Sequence, residues 1–400
     1  MSDYFRPLGP DYHVRPDQSP MQALRQAAQT LGAPPSRLAA NGWGGPIHSL
    51  IHNPEVRDIW IMHDQVIVRD NRGHETQTRI HLSEQWVETL AHLWRYHDRP
   101  KMPTFDEYGD FRSTLRFPDM IGGLRFQYAG RAFSAWGPSM YIRRLPDYPF
   151  TFDRLVQNGT MTRDIANTLT ALVQARCPIV VSGQTGAGKT TLLGALVHAI
   201  QSHKSPLNLL IIEKSHELPT IHPAFRWEED SDHRRQLADL AAHATQMGLE
   251  WLVLGESTGP EAYFVIKAIA QGVPVLTTLH ATSAKDGVMA MARLALEKAG
   301  NGSLMPSLLT TLAQEAVFSV NLTLQKDEHG YLGRVTDIGE VISVNRDAPV
   351  MNSIWSWKPN QRGGGGRVQF NYGCRTELSN ATRIRFEKAG IPFPIPEETS

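Results

Sequence analysis

Between Val181 and Leu192 the chain reads VSGQTGAGKTTL, which sets Gly183, Gly188, Lys189 and Thr190 at the spacing G-x-x-x-x-G-K-T. Residues of these types at this spacing suit a bound polyphosphate. Glycines let the backbone curl its N–H groups around a β-phosphate, a lysine reaches the β- and γ-oxygens, and a threonine hydroxyl is offered to Mg2+. The candidate set for ATP is therefore Gly183, Gln184, Thr185, Gly186, Ala187, Gly188, Lys189, Thr190 and Thr191, with Thr190 also a candidate metal ligand. The apolar run at 178–181 predicts a buried strand before the loop. Leu192, Leu193, Leu196 and Ile200 have helical spacing after it, so the loop sits where helix N-terminal amides face an anion.

Phosphoryl chemistry also needs an acid. Residues 251–256, WLVLGE, form an apolar strand ending in Glu256, the first candidate both to handle Mg2+ and to polarise an attacking water. Glu213 and Glu217 lie just beyond the preceding strand as further catalytic candidates, with a solvated loop acid as the lesser alternative for each. His280 closes TTLHA at 277–281, another strand end. A lone histidine is usually structural, but one at the edge that carries the phosphate loop is placed to sense a γ-phosphate. Two other motifs carry less. Residues 255–259 spell G-x-S-x-G between a strand and a helix, yet no HGGG-type oxyanion segment precedes them and a hydrolase reading leaves the phosphate loop without a purpose. His216-Glu217 lacks the second histidine of H-E-x-x-H, since Thr220 stands there and Pro219 would break the helix.

The elements that must position these groups alternate. Strands over 207–212, 251–254 and 274–277 and helices over 234–247, 260–270 and 283–299 predict a mainly parallel sheet covered on both faces, with ligands at the carboxyl ends of its strands. Upstream, strand-like runs at 59–62 and 65–68, a helix after Ser83, and runs at 124–126, 131–134 and 139–144 that carry arginines predict a small α/β domain. The expected division is an appendage and linker at 1–46, an N-terminal α/β domain at 47–146, a hinge at 147–162, the nucleotide-binding α/β domain at 163–345 and a β-rich appendage at 346–400. The glycines of 362–367 read as a flexible hairpin loop.

Four hundred residues with 41% hydrophobic content allow two or three domains. Basic and acidic residues balance at 40 each, so no bulk charge favours nucleic acid, and direct nucleic-acid binding is not expected. Two distant cysteines, Cys177 and Cys374, suit a reducing compartment rather than a disulfide framework. No basic-then-apolar leader is read at the N-terminus and no apolar run approaches the ~18 residues of a membrane span, so a cytoplasmic chain is expected.

Taken together these residues resemble the ATPases of type II and type IV secretion, type IV pilus and Tad/Flp pilus assembly. That family runs Walker A, an acidic box IED-x-x-E-L, Walker B as apolar-GE-x-R-G-x-EA, and a histidine box TTLHA. Here the order is kept as GQTGAGKT, IEKSHEL, LVLGESTGPEA and TTLHA. Residues 53–59, NPEVRDI, and 137–144, GPSMYIRR, are similar to two N-terminal elements of the family, and 334–341 with the run to Gly390 resemble the Tad/Flp branch. The resemblance implies a RecA-like P-loop NTPase domain preceded by a smaller α/β domain. It further implies a homo-hexamer that hydrolyses ATP with Mg2+ and works on inner-membrane platform proteins, held peripherally at the cytoplasmic face. N-terminal arginines would reach the phosphates, for which Arg131 and Arg143 match best and Arg125 and Arg144 are reserves. An assembly subunit that binds nucleotide and hydrolyses it poorly is the alternative.

The chain departs from that pattern at three places. Lys214 stands where the acidic box has aspartate, Thr258 where Walker B continues to arginine, and Gln246 where an arginine precedes Walker B by about ten residues. Losing one member of an acid–arginine pair would strand a charge at a cost of ~3–5 kcal/mol, whereas losing both avoids it. The expectation is a rewired, charge-matched site in which Lys214 pairs with Glu217 or Glu256, or touches the γ-phosphate; the equal alternative is that Lys214 simply points to water. A double-mutant cycle on ATPase rate tests the link: Lys214→Asp alone is expected to damage activity, and adding Thr258→Arg to recover it beyond the sum of the single effects. Additive effects would show that the two positions do not communicate.

Overall fold

The structure, a computed structural model, describes residues 47–84, 87, 88, 90, 91, 94, 110–115, 123–131, 134–145, 150–203, 208–215, 217–229, 236–327, 330–359, 370–374 and 378–394. They fall into two compact units that divide between 148 and 149. The expected appendage at 1–46 and the glycine loop at 362–367 lie outside the described residues.

The first unit is a six-stranded antiparallel sheet in the order β3-β2-β1-β6-β5-β4. Its strands are β1 (Val56–Met62), β2 (Gln65–Asp70), β3 (Glu75–His81), β4 (Asp110–Leu115), β5 (Leu124–Ala129) and β6 (Ser139–Arg144). Period-2 alternation sends Ile59, Ile61, Val66, Phe126, Tyr128, Met140 and Ile142 to one face, where they pack with Val87, Leu90 and Trp94. On the opposite face, which also carries Trp60 and Tyr141, register lines up Arg69, Asp58, Arg143 and Arg125 across four adjacent strands. The hairpin between β1 and β2 turns at His63, whose φ is 58°. The next turn closes because Asp70 Oδ1 accepts the N–H groups of Arg72 and His74, both at 2.8 Å. Of the strand expected over 131–134 only the two ends are described: Arg131 lies in a turn and Ser134 in the loop between β5 and β6, its N–H donating to Gly130 O at 3.0 Å.

The second unit holds a nine-stranded sheet in the order β15-β14-β13-β12-β7-β11-β10-β8-β9. The six strands from β12 to β9 run parallel: β7 (Ile179–Gly183), β8 (Leu209–Glu213), β9 (Phe225–Glu228), β10 (Trp251–Leu254), β11 (Val275–Leu279) and β12 (Phe318–Asp327). The four strands β7, β8, β10 and β11 are buried throughout, and alternate residues enter two cores. Ile179, Val181, Ile211 and Val253 face one core, and Val180, Ile212 and Leu254 the other. Helices α1 (Phe152–Gln157), α2 (Arg163–Gln174) and α3 (Lys189–His203) cover the first face. Helices α4 (Leu237–Ala244), α5 (Glu261–Ala270), α6 (Ala284–Ala299) and α7 (Met305–Gln314) cover the second. Thr162 caps α2 and Ser283 caps α6 by accepting the N–H three residues on, and Gly300 ends α6 in the left-handed region.

A boundary at 345/346 falls inside this sheet. β13 (Gly330–Asn345) pairs antiparallel with both β12 and β14 (Ala348–Pro359), which in turn pairs with β15 (Phe370–Cys374). The final helix α8 (Asn380–Ala389) buries Phe386 in the first core. Glu340, fully buried in β13, accepts two bonds from the Ser379 N–H at 3.2 and 3.1 Å and one from the Thr382 hydroxyl, which places its charge at the start of α8. The described part of the expected hinge, 150–162, likewise belongs to the second unit, since Leu155 and Met161 enter its core.

Cys177 lies fully buried just before β7, and burial pushes its thiol up to about 12, with Arg385 pulling weakly the other way. At pH 8 the thiol is held protonated. In a Cys374→Ser variant, Ellman's reagent is therefore expected to label Cys177 only after denaturation. Stoichiometric labelling within minutes under native conditions would contradict this burial.

Candidate functional site

β7 ends at Gly183 and α3 begins at Lys189, so the intervening residues must turn sharply at the carboxyl end of a buried strand. Gly186 and Gly188 have φ of 80° and 91°, a region that any residue with a Cβ enters only under strain. Gln184, Thr185, Gly186 and Thr190 face solvent, whereas Ala187 and Lys189 are buried. Lys189 folds back over the loop, and its Nζ donates to the carbonyls of Gly183 at 2.9 Å and Gln184 at 3.1 Å. Burial pulls this ammonium below its ordinary value, and the charge of Glu256 opposes the shift.

Sheet order brings the remaining groups to the loop. β11 runs beside β7 and β10 beside β11, so residues that follow these strands emerge at one edge. His280 follows β11 and its Nδ1 lies 3.3 Å from Lys189 Nζ. Its Nε2 lies 3.4 Å from Oε1 of Glu256, which follows β10. Lys214 follows β8; its Nζ is 3.4 Å from Oε2 of the same Glu256 and donates to Thr258 Oγ1 at 2.9 Å. Lys189, His280, Glu256 and Lys214 thus form one continuous run of contacts. Of the partners expected for Lys214, the observed carboxylate is Glu256.

The other two acids occupy different surroundings. Glu213 is buried; its Oε1 accepts the N–H groups of Glu217 and Leu218 at 2.9 and 2.8 Å, and its Oε2 accepts Arg226 Nη2 at 2.8 Å. The carboxylate therefore shapes the 214–218 loop that carries Lys214. Glu217 is half-buried and accepts from the Ser215 hydroxyl at 3.4 Å. His216 lies outside the described residues. Ser257 is buried with its hydroxyl 2.8 Å from that of Thr277, while its N–H donates to Thr278 O at 2.7 Å. That orientation removes the nucleophile-elbow reading, which needs an exposed Oγ.

Two features of the site escape motif reading. The first is Glu261, whose Oε1 accepts the N–H groups of Thr258 and Gly259 at 2.5 and 2.8 Å and so fixes the turn after Glu256. The second is Gly333 in β13. A Cβ added there would clash with Ala187 O, so the strand backbone presses directly on the 183–191 loop. An isolated glycine in a strand-like run is the signal that marks such an approach.

In the first unit, Asp58 is fully buried on the sheet face opposite the core. It accepts Tyr141 OH at 2.6 Å, Arg143 Nε at 2.8 Å and Arg57 Nε at 2.9 Å, with Arg69 Nη1 at 3.9 Å. Burial alone would raise this carboxyl, but Arg143 together with Tyr141 and Arg57 holds it below its usual range. Arg143 is thereby oriented along the row that includes Arg125. Arg131 sits apart at the β5–β6 loop, bonded to Glu84 and 3.8 Å from Glu88. Arg144, the second reserve, is the half-buried last residue of β6.

Comparisons with known proteins bear on the family and the fold. The probable conjugal transfer protein TrbB of Sinorhizobium fredii is 29% identical over 178 residues, covering 44% of this chain and 54% of that protein. The first curated relatives are spanned over only 40–54% of their length. Among solved structures, the Legionella pneumophila ATPase DotB superposes with a TM-score of 0.54 at 17% identity, covering 84% of each chain. The pilus retraction motor PilT with bound ADP gives 0.55 at 17%, covering 75% of this chain and 83% of that one. These likenesses support a RecA-like domain preceded by a smaller N-terminal domain, and do not single out the Tad/Flp branch. The family model described as Type II/IV secretion system protein matches residues 123–352, more than half of the chain, and the chain belongs to that family.

Proposed function

We propose that this chain binds ATP at the 183–191 loop and hydrolyses it to drive a secretion, pilus or conjugation machine. The observation that carries the reading is the run of contacts from Lys189 through His280 to Glu256, which sets the cation of a phosphate loop and a carboxylate at one strand edge. In the reaction, a water oxygen attacks the γ-phosphorus, the bond from that phosphorus to the β–γ bridging oxygen breaks, and ADP leaves with the electron pair. Glu256 would orient the water and take its proton, which passes on to phosphate. Lys189 would balance charge on the β- and γ-oxygens, and His280 would hold Glu256 against the loop.

Residues suited to Mg2+ are present. Thr190 exposes a hydroxyl in the first turn of α3 and Glu256 supplies a carboxylate, while no cluster of three or more His, Cys, Asp or Glu occurs among the described residues. That donor set fits a hard cation that takes most of its ligands from phosphate and water. When bound, the metal would neutralise charge developing on the transferred phosphoryl group.

Arg143 and Arg131 are proposed phosphate contacts. The buried Asp58 supports this for Arg143, since it holds the guanidinium in a fixed orientation on the open face. A ring of six subunits, platform proteins as partners and a peripheral place at the cytoplasmic face of the inner membrane complete the reading. It draws support from the names of TrbB, DotB and PilT and from the finding that no helix among the described residues is long and apolar enough to cross a membrane. A second reading, a nucleotide-binding assembly subunit with weak hydrolysis, is favoured by one observation: Glu256 is paired with Lys214 as well as facing His280.

Lys189→Ala is expected to abolish ATPase turnover; a rate within about threefold of wild type would overturn the assignment. Glu256→Gln should keep nucleotide affinity and lose hydrolysis, and nucleotide binding as weak as that of Lys189→Ala would refute the role given to Glu256. Wild-type binding without turnover would select the second reading. Gly333→Ala is expected to weaken nucleotide binding at least about tenfold through its clash with Ala187 O, whereas Gly302→Ala, with nothing within 4 Å of the added carbon, should match wild type.

A further inference from the structure

Lys214 follows β8 and lies against Glu256, whereas Lys189 in α3 is linked to that carboxylate only through His280. Lys189 is fixed: it is nearly buried and donates to two loop carbonyls. Lys214 is held differently. Its side chain keeps 27% exposure, its nearest partner is the uncharged Thr258 hydroxyl at 2.9 Å, and Glu256 Oε2 lies further off at 3.4 Å. The Thr258 hydroxyl carries no formal charge, so an anionic oxygen would be the stronger acceptor for this ammonium. Lysine also has a four-carbon stem on which an ammonium can swing while the backbone stays still. The backbone here is held, because Glu213 ties the amides of Glu217 and Leu218 and pairs with Arg226.

Glu256 has Lys214 against Oε2 and His280 against Oε1, with Lys189 on the other side of the imidazole. Lys214 is thus a second ammonium at the strand edge that carries the loop lysine. A diphosphate cradled by the loop would be served by Lys189 and the loop amides, whereas a third phosphate beside Glu256 would bring anionic oxygens to the second ammonium.

We propose that Lys214 is the specificity-determining cation of this site, exchanging the Thr258 hydroxyl for a terminal phosphate oxygen and so making the chain prefer a nucleoside triphosphate over the diphosphate. The proposal rests on the reading of the 183–191 loop as a nucleotide site, and substitution of aspartate by lysine in the family pattern gives it to this chain rather than to the family. A solvent-facing ion pair with no ligand role would leave nucleotide selectivity unchanged.

The test is equilibrium binding of fluorescent ADP and fluorescent ATPγS to the full chain with Mg2+, comparing wild type, Lys214→Met and Lys214→Arg. Lys214→Met is expected to lose at least about tenfold in ATPγS affinity while ADP affinity stays within about threefold, and Lys214→Arg to retain most of the preference. Retained ADP affinity also reports an intact fold. Equal losses for both nucleotides, or no change in either, would overturn the proposal while leaving the loop assignment standing. A wild-type chain that binds neither nucleotide would overturn both.

Discussion

A nearly buried ammonium needs partners, and that requirement at Lys189 organises the second unit. An unpaired charge at such depth would cost several kcal/mol. Here the ammonium meets two loop carbonyls, His280 Nδ1 and, through that ring, Glu256. Those partners come from three separate strand ends, β7, β11 and β10, which the sheet sets side by side. Parallel strands buried on both faces make this possible, since all three release their following residues at the same edge. The chemistry of the site is therefore a consequence of strand order as much as of any motif.

The same edge is stiffened by carboxylates that do not face the loop lysine. Glu213 ties the amides after β8, and Glu261 ties those after Glu256. Each uses an acidic side chain to satisfy backbone donors that would otherwise lie orphaned in a tight turn. Behind the loop, β12 and β13 act as a backstop: Leu322 pairs with Gly183, and Gly333 lies against Ala187. Loop geometry is thus coupled to a hairpin distant in sequence, and through Arg334 Nη1 and the Val335 N–H, which donate to Gly159 O at 2.7 Å and Thr160 O at 2.9 Å, to the segment preceding α2.

The first unit solves a related problem with the opposite sign. Asp58 is a buried anion, and arginines from adjacent strands together with Tyr141 hold its charge. Because the arginines use part of their donor sets on Asp58, their guanidinium planes are oriented across the open face of the sheet. A row of cations with one shared buried counter-ion is suited to hold an anionic group, which is the property the proposed role of Arg143 calls upon.

What the sequence by itself determined was local. Strand, glycine loop and helix at 178–200 are encoded by spacing within twenty-odd residues, and the structure has them as β7, the loop and α3. The alternating strands and helices up to 299, and the hairpin at His63-Asp64, follow from periodicity and turn residues in the same way. Tertiary structure decided which strand ends meet. No spacing rule brings Lys214 to Thr258 across 44 positions, selects Glu256 over Glu217 as its carboxylate, or turns Glu213 toward backbone amides. The 345/346 boundary failed for the same reason: a change in composition marked the end of a domain, but unpaired strand edges seek partners, and β13 to β15 continue the sheet. Local patterns fix elements because their energies are short-ranged, whereas pairing order and buried-charge matching depend on contacts that exist only once the chain has folded.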